Sequence, residues 1–216
     1  MPPRRRVAPR KAPRQARSRA MVARIVDAGQ QVLIAHGYEG ASTNRIADAA
    51  EISPGSLYQY FPNKDAIVSA VIERYNEEVA TRVLRHALAN LSAPPEIGIP
   101  EAISVLLDAL GEHPALLRAV LEQTPRLSTS NAVFAFEQQI GELARAALVM
   151  RRHLLPEDLD FDAASWMLVR TVEHLSTRYV LDDPPITRER FLADITRLVL
   201  NFFQEPQVSA PRAERE

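Results

Sequence analysis

The sequence predicts an all-α protein, and three observations carry that prediction. Apolar residues recur every three or four positions along most of the chain from about Ser18 onward, the spacing that gives a helix one apolar face. No alternating apolar and polar run is long enough to favour a strand. Hydrophobic residues make up 46% of the 216-residue chain, enough to bury a sizeable core. We therefore expect a globular protein of about nine helices.

The chain is predicted to begin with a disordered basic arm, residues 1–17. Four prolines oppose a helix there, and seven Lys or Arg side chains oppose collapse. The first helix is expected to start at Ser18, a favoured N-cap residue type, and to end before Gly37, where a left-handed residue suits a helix end. Its apolar face is formed by Met21, Ile25, Ala28, Val32 and Ala35.

Two short helices are predicted next. Ser42 is a candidate cap for the second helix. Ser53 followed by Pro54 predicts the start of the third, because proline costs no hydrogen bond at the first helical position. The third helix is expected to reach about Tyr60. Because only Glu51–Ile52 separates the two helices, the pattern predicts a helix-turn-helix.

Six longer helices are predicted after this motif. Asn63 caps the fourth, which runs towards Leu91, and the proline-rich stretch Ser92–Pro100 is expected to be a loop. The other five are expected over residues 101–111, 114–125, 130–153, 161–181 and 187–204. The predicted divisions are the arm (1–17), a helix-turn-helix domain (18–63), a larger helical domain (64–205) and a flexible tail (206–216).

Charge divides the chain into two unlike parts. Residues 1–64 hold eleven Lys or Arg and four Asp or Glu, a net +7, whereas residues 65–216 hold fifteen and twenty-three, a net −8. A basic front part indicates that one end of the molecule meets a polyanion such as nucleic acid. We expect the arm to add non-specific affinity for DNA.

Composition argues against several other classes of protein. The chain has no cysteine, which excludes disulfides and thiolate metal sites and fits a cytoplasmic location. No apolar run approaches the roughly 20 residues that span a bilayer, so no membrane association is expected. The five histidines lack metal-ligand spacing, and no phosphate loop or nucleophile elbow is present. We therefore predict no catalytic residue, no metal site and no cofactor.

The segment GYEGASTNRIADAAEISPGSLYQYFPNKDAI, residues 37–67, closely resembles the signature of the tetracycline-repressor (TetR) family. The resemblance is sharp over about residues 18–70 and architectural beyond them. It implies a homodimeric transcription repressor that binds a palindromic double-stranded DNA operator and is released by a small apolar or aromatic effector. The alternative is a ligand-independent DNA-binding regulator or an activator. The matching features are Gly37–Tyr38, Thr43, Ile46–Ala47, Leu57–Tyr58, Tyr60–Phe61 and Lys64.

The residues of the motif suit contacts with DNA. Thr43 begins the second helix, where free backbone N–H groups attract a phosphate. Asn44 is able to read a base edge, and Gly55 lets the backbone approach the duplex. The resemblance implies that Lys64 binds a backbone phosphate. The predicted DNA-binding residues are Thr43, Asn44, Arg45, Pro54, Gly55, Ser56, Tyr58, Gln59, Tyr60 and Lys64.

Several of these assignments leave an alternative open. Arg45 is equally well a solvated charge, and Tyr58 and Tyr60 also suit packing positions. The family commonly has glycine in the helix-turn-helix turn, where a positive φ is needed, but here Glu51 or its neighbour stands there. A non-glycine residue in that conformation costs on the order of 1 kcal/mol. Its carboxylate is also expected near the approaching DNA.

The last helix is apolar on nearly every side, so it needs a second partner beyond its own domain. The resemblance implies a four-helix bundle made by the last two helices of two subunits, with Leu200 as a candidate outward position. The apolar residues of the helix are Phe191, Leu192, Ile195, Leu198, Val199, Leu200, Phe202 and Phe203.

Helices five to eight carry a surplus of apolar side chains, which indicates an apolar ligand pocket. The resemblance places such pockets between helices four and eight. For each polar candidate, a solvated or capping role is the ordinary alternative. The predicted ligand-binding residues are Phe134, Gln138, Trp166, Arg170 and His174.

Overall fold

The computed structural model describes the backbone of residues 12–127 and 130–202 and the side chains of residues 16–122 and 138–202. These residues form nine α-helices and one 3₁₀ helix and no strand, so the predicted all-α class is confirmed. The arm up to residue 11 and the tail from residue 206 lie outside the described part. The helices are α1 Ala12–Gly40, α2 Thr43–Ala49, α3 Pro54–Tyr58, α4 Lys64–Ala89, α5 Pro95–Gly111, α6 Pro114–Leu127, α7 Ser130–Met150, the 3₁₀ helix Arg152–Leu154, α8 Phe161–Asp182 and α9 Arg188–Asn201.

The chain forms two compact units. The first unit comprises Met1–Asn76 with His113–Ala132, and the second comprises Glu77–Glu112 with Val133–Glu216. The first unit is therefore larger than the predicted 18–63 domain, since it also takes the first half of α4 and all of α6. Among the described residues, no helix combines the length and apolar content needed to cross a membrane.

In the first unit α1 packs against α2 and α6, and α4 approaches α1 closely at Gly29. A Cβ atom at Gly29 would lie 2.8 Å from Ile67 Cγ2 and 3.2 Å from Val71 Cγ2, so the missing side chain lets the two helices approach closely. Ile25 and Leu33 of α1 are buried in the same unit. The helix-turn-helix thus packs directly on α1 through α2.

The first helix differs from its prediction at both ends. It begins at Ala12 rather than Ser18, because Pro13 falls in the first turn, where a missing N–H removes no hydrogen bond. The helical path breaks at Gly37, which has φ 63° and ψ −178°. This is the backbone region that essentially only glycine occupies. Gly37 therefore has the positive φ of the predicted left-handed residue, but its extended ψ lies outside the left-handed helical region.

In the second unit α5 packs against α8 and α9. Ile103 and Leu107 of α5 form a buried cluster with Ile195 of α9. The Arg188 guanidinium, at the start of α9, lies 2.6 Å from Asp108 Oδ1 and donates to Ser104 Oγ at 2.8 Å. Hydrogen bonding to Asp108 raises the pKa of Arg188. The ion pair fixes the beginning of α9 against α5.

Further predicted helix boundaries were wrong. The sixth helix continues past Pro125 to Leu127. The predicted loop Ser92–Pro100 is helical from Pro95 onward, because Pro95 suits the first helical position, and the helix continues through Pro100, which has no N–H to donate. The third helix ends at Tyr58, since Gln59 is already its C-cap. The seventh ends at Met150, after which the chain tightens into the 3₁₀ helix.

Candidate nucleic-acid interface and ligand cavity

Two serine caps define the helix-turn-helix. Ser42 Oγ accepts a hydrogen bond from the Arg45 N–H at 3.2 Å and begins α2. Ser53 Oγ accepts from the Ser56 N–H at 3.1 Å, and Pro54 occupies the first turn of α3. Both caps were predicted from the sequence. Each satisfies a backbone donor that a helix start leaves without an intrahelical partner.

The turn between α2 and α3 is closed around Glu51, whose φ is 52°. The Ile52 N–H donates to Ala47 O and the Glu51 N–H donates to Asp48 O, each at 3.0 Å. These are the paired bonds of a Schellman motif, in which glycine usually takes the left-handed position. The predicted non-glycine residue at positive φ is therefore confirmed as Glu51.

Arg24 of α1 supports this turn, and sequence reasoning missed it. Its Nη2 donates to the Glu51 carbonyl oxygen at 3.0 Å and lies 3.7 Å from the Glu51 carboxylate. The pair joins residues 27 positions apart. No local pattern reports such a pair, because helical periodicity identifies faces and not the partners across them.

The predicted DNA-binding residues surround the buried core of the helix-turn-helix. Ile46, Ala47, Leu57 and Phe61 are buried, as predicted for the core of the motif. Asn44, Arg45, Pro54, Gly55, Tyr58 and Gln59 are exposed, and Thr43, Ser56, Tyr60 and Lys64 are half-buried.

Hydroxyl groups link the two helices of the motif. Thr43 Oγ1 lies 3.0 Å from Tyr58 Oη, so the first residue of α2 is bonded to the last residue of α3. Ser56 Oγ lies 2.9 Å from the capping Ser53 Oγ. These groups are held in place before any ligand arrives. Their contacts with DNA stay predictions.

The two cations of the motif are anchored to backbone carbonyls. Lys64 Nζ donates to Tyr38 O at 3.1 Å and lies 3.9 Å from the centre of the Tyr38 ring. Tyr38 in turn donates its hydroxyl to Asp65 Oδ1 at 2.6 Å. The Arg45 guanidinium donates to Gly40 O. An ammonium group has three donors, so Lys64 keeps donors for a phosphate.

The second unit contains an apolar cavity of about 460 Å³, here called the larger cavity. The second half of α4, α5 and α7 supply most of its walls, and Leu200 of α9 contributes as well. Its size falls in the range of about 300–1,000 Å³ typical of small-molecule sites. The polar lining residues are His86, Asn90, Glu96 and Arg151.

A smaller cavity of about 250 Å³ adjoins it and extends to α8. Ala87, Ile99 and Ala144 line both cavities, and Leu168 and Val172 belong to the smaller one. Glu173 is the one ionisable residue among the described residues lining the smaller cavity, and Arg170 lies 3.4 Å from it. The smaller cavity is thus almost entirely aliphatic.

Four of the five predicted ligand-binding residues lie outside the two cavities. Gln138, Trp166 and His174 are exposed, with Trp166 63% exposed. Arg170 is half-buried and pairs with Glu173. None of these four lines either cavity, and the side chain of Phe134 lies outside the described part. Their roles in ligand binding stay untested.

The outward position proposed for α9 also needs correction. Leu200 is half-buried and lines the larger cavity, because the helix turns this side towards its own unit. Leu198 is 47% exposed and takes the outward position instead.

Comparison with known proteins gives a consistent result. The family model described as "Bacterial regulatory proteins, tetR family" matches residues 25–71, and the model described as "Tetracyclin repressor-like, C-terminal domain" matches residues 94–202. The chain is 26% identical over 152 residues to the HTH-type transcriptional repressor DhaR of Mycobacterium sp. strain GP1, with 66% of this chain and 76% of the relative covered.

Two solved structures share the fold. A TetR-family transcription regulator from Mesorhizobium loti superposes with a TM-score of 0.70 at 18% identity, covering 86% of this chain and 96% of that one. The regulator FadR of Bacillus subtilis, solved with stearoyl-CoA, gives a TM-score of 0.60 at 18% identity, covering 84% and 97%. The two family models together extend over both compact units, and the chain therefore belongs to the TetR family of bacterial DNA-binding transcription regulators.

Proposed function

We propose that this chain is a repressor that binds a palindromic operator as a homodimer and is released when a small apolar molecule enters the cavity of the second unit. The observation that carries the proposal is the presence, in one chain, of an exposed helix-turn-helix and an aliphatic cavity of about 460 Å³. The relative DhaR is named as a repressor, which supports the direction of control.

The surface of the helix-turn-helix supports binding to DNA. A Cβ atom at Gly55 would have only Ser53 Oγ, at 3.9 Å, within 4 Å, so the start of α3 is open to an approaching duplex. Asn44 is exposed at the second position of α2, and its amide is able to pair with a base edge. The half-buried Lys64 supplies a cation beside these helices.

The outer surface of α8 and α9 supports a homodimer. The two helices are joined by stacking of Tyr179 on Phe191, whose ring centres lie 4.2 Å apart. Trp166, Met167 and Leu198 remain 63%, 41% and 47% exposed. A second copy would cover them and place two recognition helices about one turn of DNA apart, roughly 34–36 Å.

Release requires a choice between two states of the dimer. In one state the two helix-turn-helix motifs have the spacing that the operator needs, and in the other α4 has moved and changed that spacing. A ligand favours the second state only by binding it better. A coupling of about 1–3 kcal/mol would lower operator affinity roughly 5–150-fold, and DNA would weaken ligand binding by the same factor.

The test first selects an operator from random duplexes and then measures its release by a panel of apolar compounds. Ala144 lines both cavities, whereas Ala146 on the same helix is exposed. Ala144→Phe should make operator binding insensitive to the compounds, and Ala146→Phe should respond as the unmodified protein does. If compounds bind in calorimetry while operator affinity stays constant, the ligand-independent alternative becomes the better account.

A further inference from the structure

The aliphatic space of the second unit has most of its polar groups at one side. At the other side Glu173 is the one ionisable residue among the described lining residues, and it is paired with Arg170. The larger and smaller cavities share the walls formed by Ala87, Ile99, Ala102 and Ala147. Beyond these shared walls the larger cavity reaches Arg151, together with His86, Asn90 and Glu96. The smaller cavity reaches the buried Leu168 and the aliphatic Val199. The space therefore has a mainly apolar end and a polar end.

Arg151, at the polar end, is bonded to backbone carbonyl groups and not to a carboxylate in the described part of the chain. Its guanidinium donates to the carbonyl oxygens of Leu91, Ala93 and Ala147 at 3.2, 2.7 and 3.1 Å. No carboxylate among the described residues forms an ion pair with it. The carbonyl partners are neutral, and of the five N–H donors of guanidinium these three bonds leave two, on Nε and Nη1. Arg151 therefore has both charge and donors for an anion.

Two acidic residues near this end, Glu96 and Glu101, oppose an anion at Arg151 only weakly. Glu96 is exposed, so water screens its charge. Glu101 lies 3.7 Å from His86 Nε2 and is thereby engaged with another lining residue. The Asn90 amide donates to His86 O at 3.0 Å and is held within α4.

We propose that the effector is an amphiphile, with an apolar chain that fills the aliphatic space and a carboxylate-type head group that Arg151 binds. This inference rests on the proposed function, because it names the class of ligand that would act at the same cavity. Arg151 suits a carboxylate because a hydrogen bond between a charged donor and a charged acceptor is stronger than one between neutral groups. The alanines that line the walls leave room for a chain.

Calorimetry on the full-length protein tests the inference with octanoate, octanol, octylammonium and hexanoate. These probes vary the head group at constant chain length, or the chain at constant head group. Octanoate should bind at least about tenfold tighter than octanol, as expected for a hydrogen bond to a charged group. Hexanoate should bind about fifteenfold more weakly than octanoate, since each buried methylene contributes about fourfold.

Variants of two neighbouring arginines locate the head group. Arg151→Leu should abolish the preference for octanoate over octanol, and Arg151→Lys should restore most of it. Arg152→Leu is the matched control, because Arg152 is exposed and lines neither cavity; it should keep the preference. If Arg151→Leu does not fold, the comparison of head groups in the unmodified protein decides the matter alone.

Octanol that binds as tightly as octanoate, or octylammonium that binds best, would overturn the inference, and the second result would assign the head group to Glu96. Octanoate that binds as expected without releasing the operator would uphold the carboxylate site at Arg151 and refute induction through it. Release of the operator by other apolar compounds, with no binding of octanoate, would uphold induction and refute the inference.

Discussion

The helix-turn-helix and the cavity are built by different kinds of contact. In the helix-turn-helix, Ser42 bonds the residue three positions on, Ser53 does the same, and the turn at Glu51 closes on carbonyls three and five positions back. The cavity is instead enclosed by residues spread from His86 to Leu200, on helices far apart in the sequence. One region is held by local hydrogen bonds, and the other exists only once distant helices have packed.

The difference predicts where substitutions will act. In the helix-turn-helix region, a change in backbone conformation or in one hydroxyl alters a defined contact. In the second unit, a change acts through packing and assembly, so one residue on an outer surface is able to affect the whole dimer. The predictions below test this division.

The largest effect is expected from the second unit. Leu198→Arg would place an unpaired charge in the proposed dimer surface of α9. The protein should become monomeric, and operator affinity should fall towards the non-specific level, about 10³-fold or more. Sedimentation and operator titration measure the two effects. Leu88→Arg is the control, because Leu88 is 58% exposed on α4, and it should leave the dimer intact. A dimeric Leu198→Arg protein would place the interface elsewhere.

Backbone strain in the first unit should give the next largest effect. Gly37→Ala should lower the free energy of unfolding by about 1–3 kcal/mol, because φ 63° with ψ −178° is closed to residues with a Cβ atom. No atom lies within 4 Å of the added Cβ, so the cost is conformational and not steric. Gly111→Ala, also in open space but without a positive φ, should be neutral or stabilising. Urea denaturation distinguishes them, and equal effects would refute the strain.

A third experiment distinguishes a residue of the motif that contacts a base from one that contacts a backbone phosphate. Asn44→Ala should cost about 1–3 kcal/mol at one base position of the operator and leave the others unchanged. Lys64→Ala should weaken binding to every sequence alike and lower the salt slope by about one. Titrations against single-base operator variants at several salt concentrations measure both. A uniform loss for Asn44→Ala would move that residue to the phosphate contacts.

The difference between local hydrogen bonds and long-range packing also explains which features could be predicted from the sequence. The caps Ser42 and Ser53 were predicted because each depends on residues a few positions apart. The positive φ in the turn at Glu51 was predicted from the resemblance to the family. The cavity residues were not predicted, since Trp166 and Leu200 both lie on apolar helices and periodicity does not say which face meets which neighbour. Trp166 proved exposed, and Leu200 faces the cavity. The helical start at Pro95 was missed because a run of prolines also suits a loop.

The smallest effect is expected at Glu51, which has both a strained backbone conformation and a carboxylate that interacts with distant charges. Glu51→Gly removes a left-handed conformation that costs on the order of 1 kcal/mol, but glycine is more flexible when unfolded and the exposed pair with Arg24 is lost. These terms offset each other, so the free energy of unfolding should rise by no more than about 1 kcal/mol. Glu51→Gln keeps the backbone strain and removes only the charge.

The two variants therefore separate strain from charge at one position. The Glu51 side chain is 89% exposed, so its carboxylate opposes an approaching phosphate through water and the effect is limited to about 1 kcal/mol, or roughly fivefold in affinity. Both variants should bind DNA more tightly by a similar factor at low salt, and only Glu51→Gly should change stability. If Glu51→Gln leaves DNA affinity unchanged while Glu51→Gly raises it, the turn acts through its backbone geometry and not through its charge.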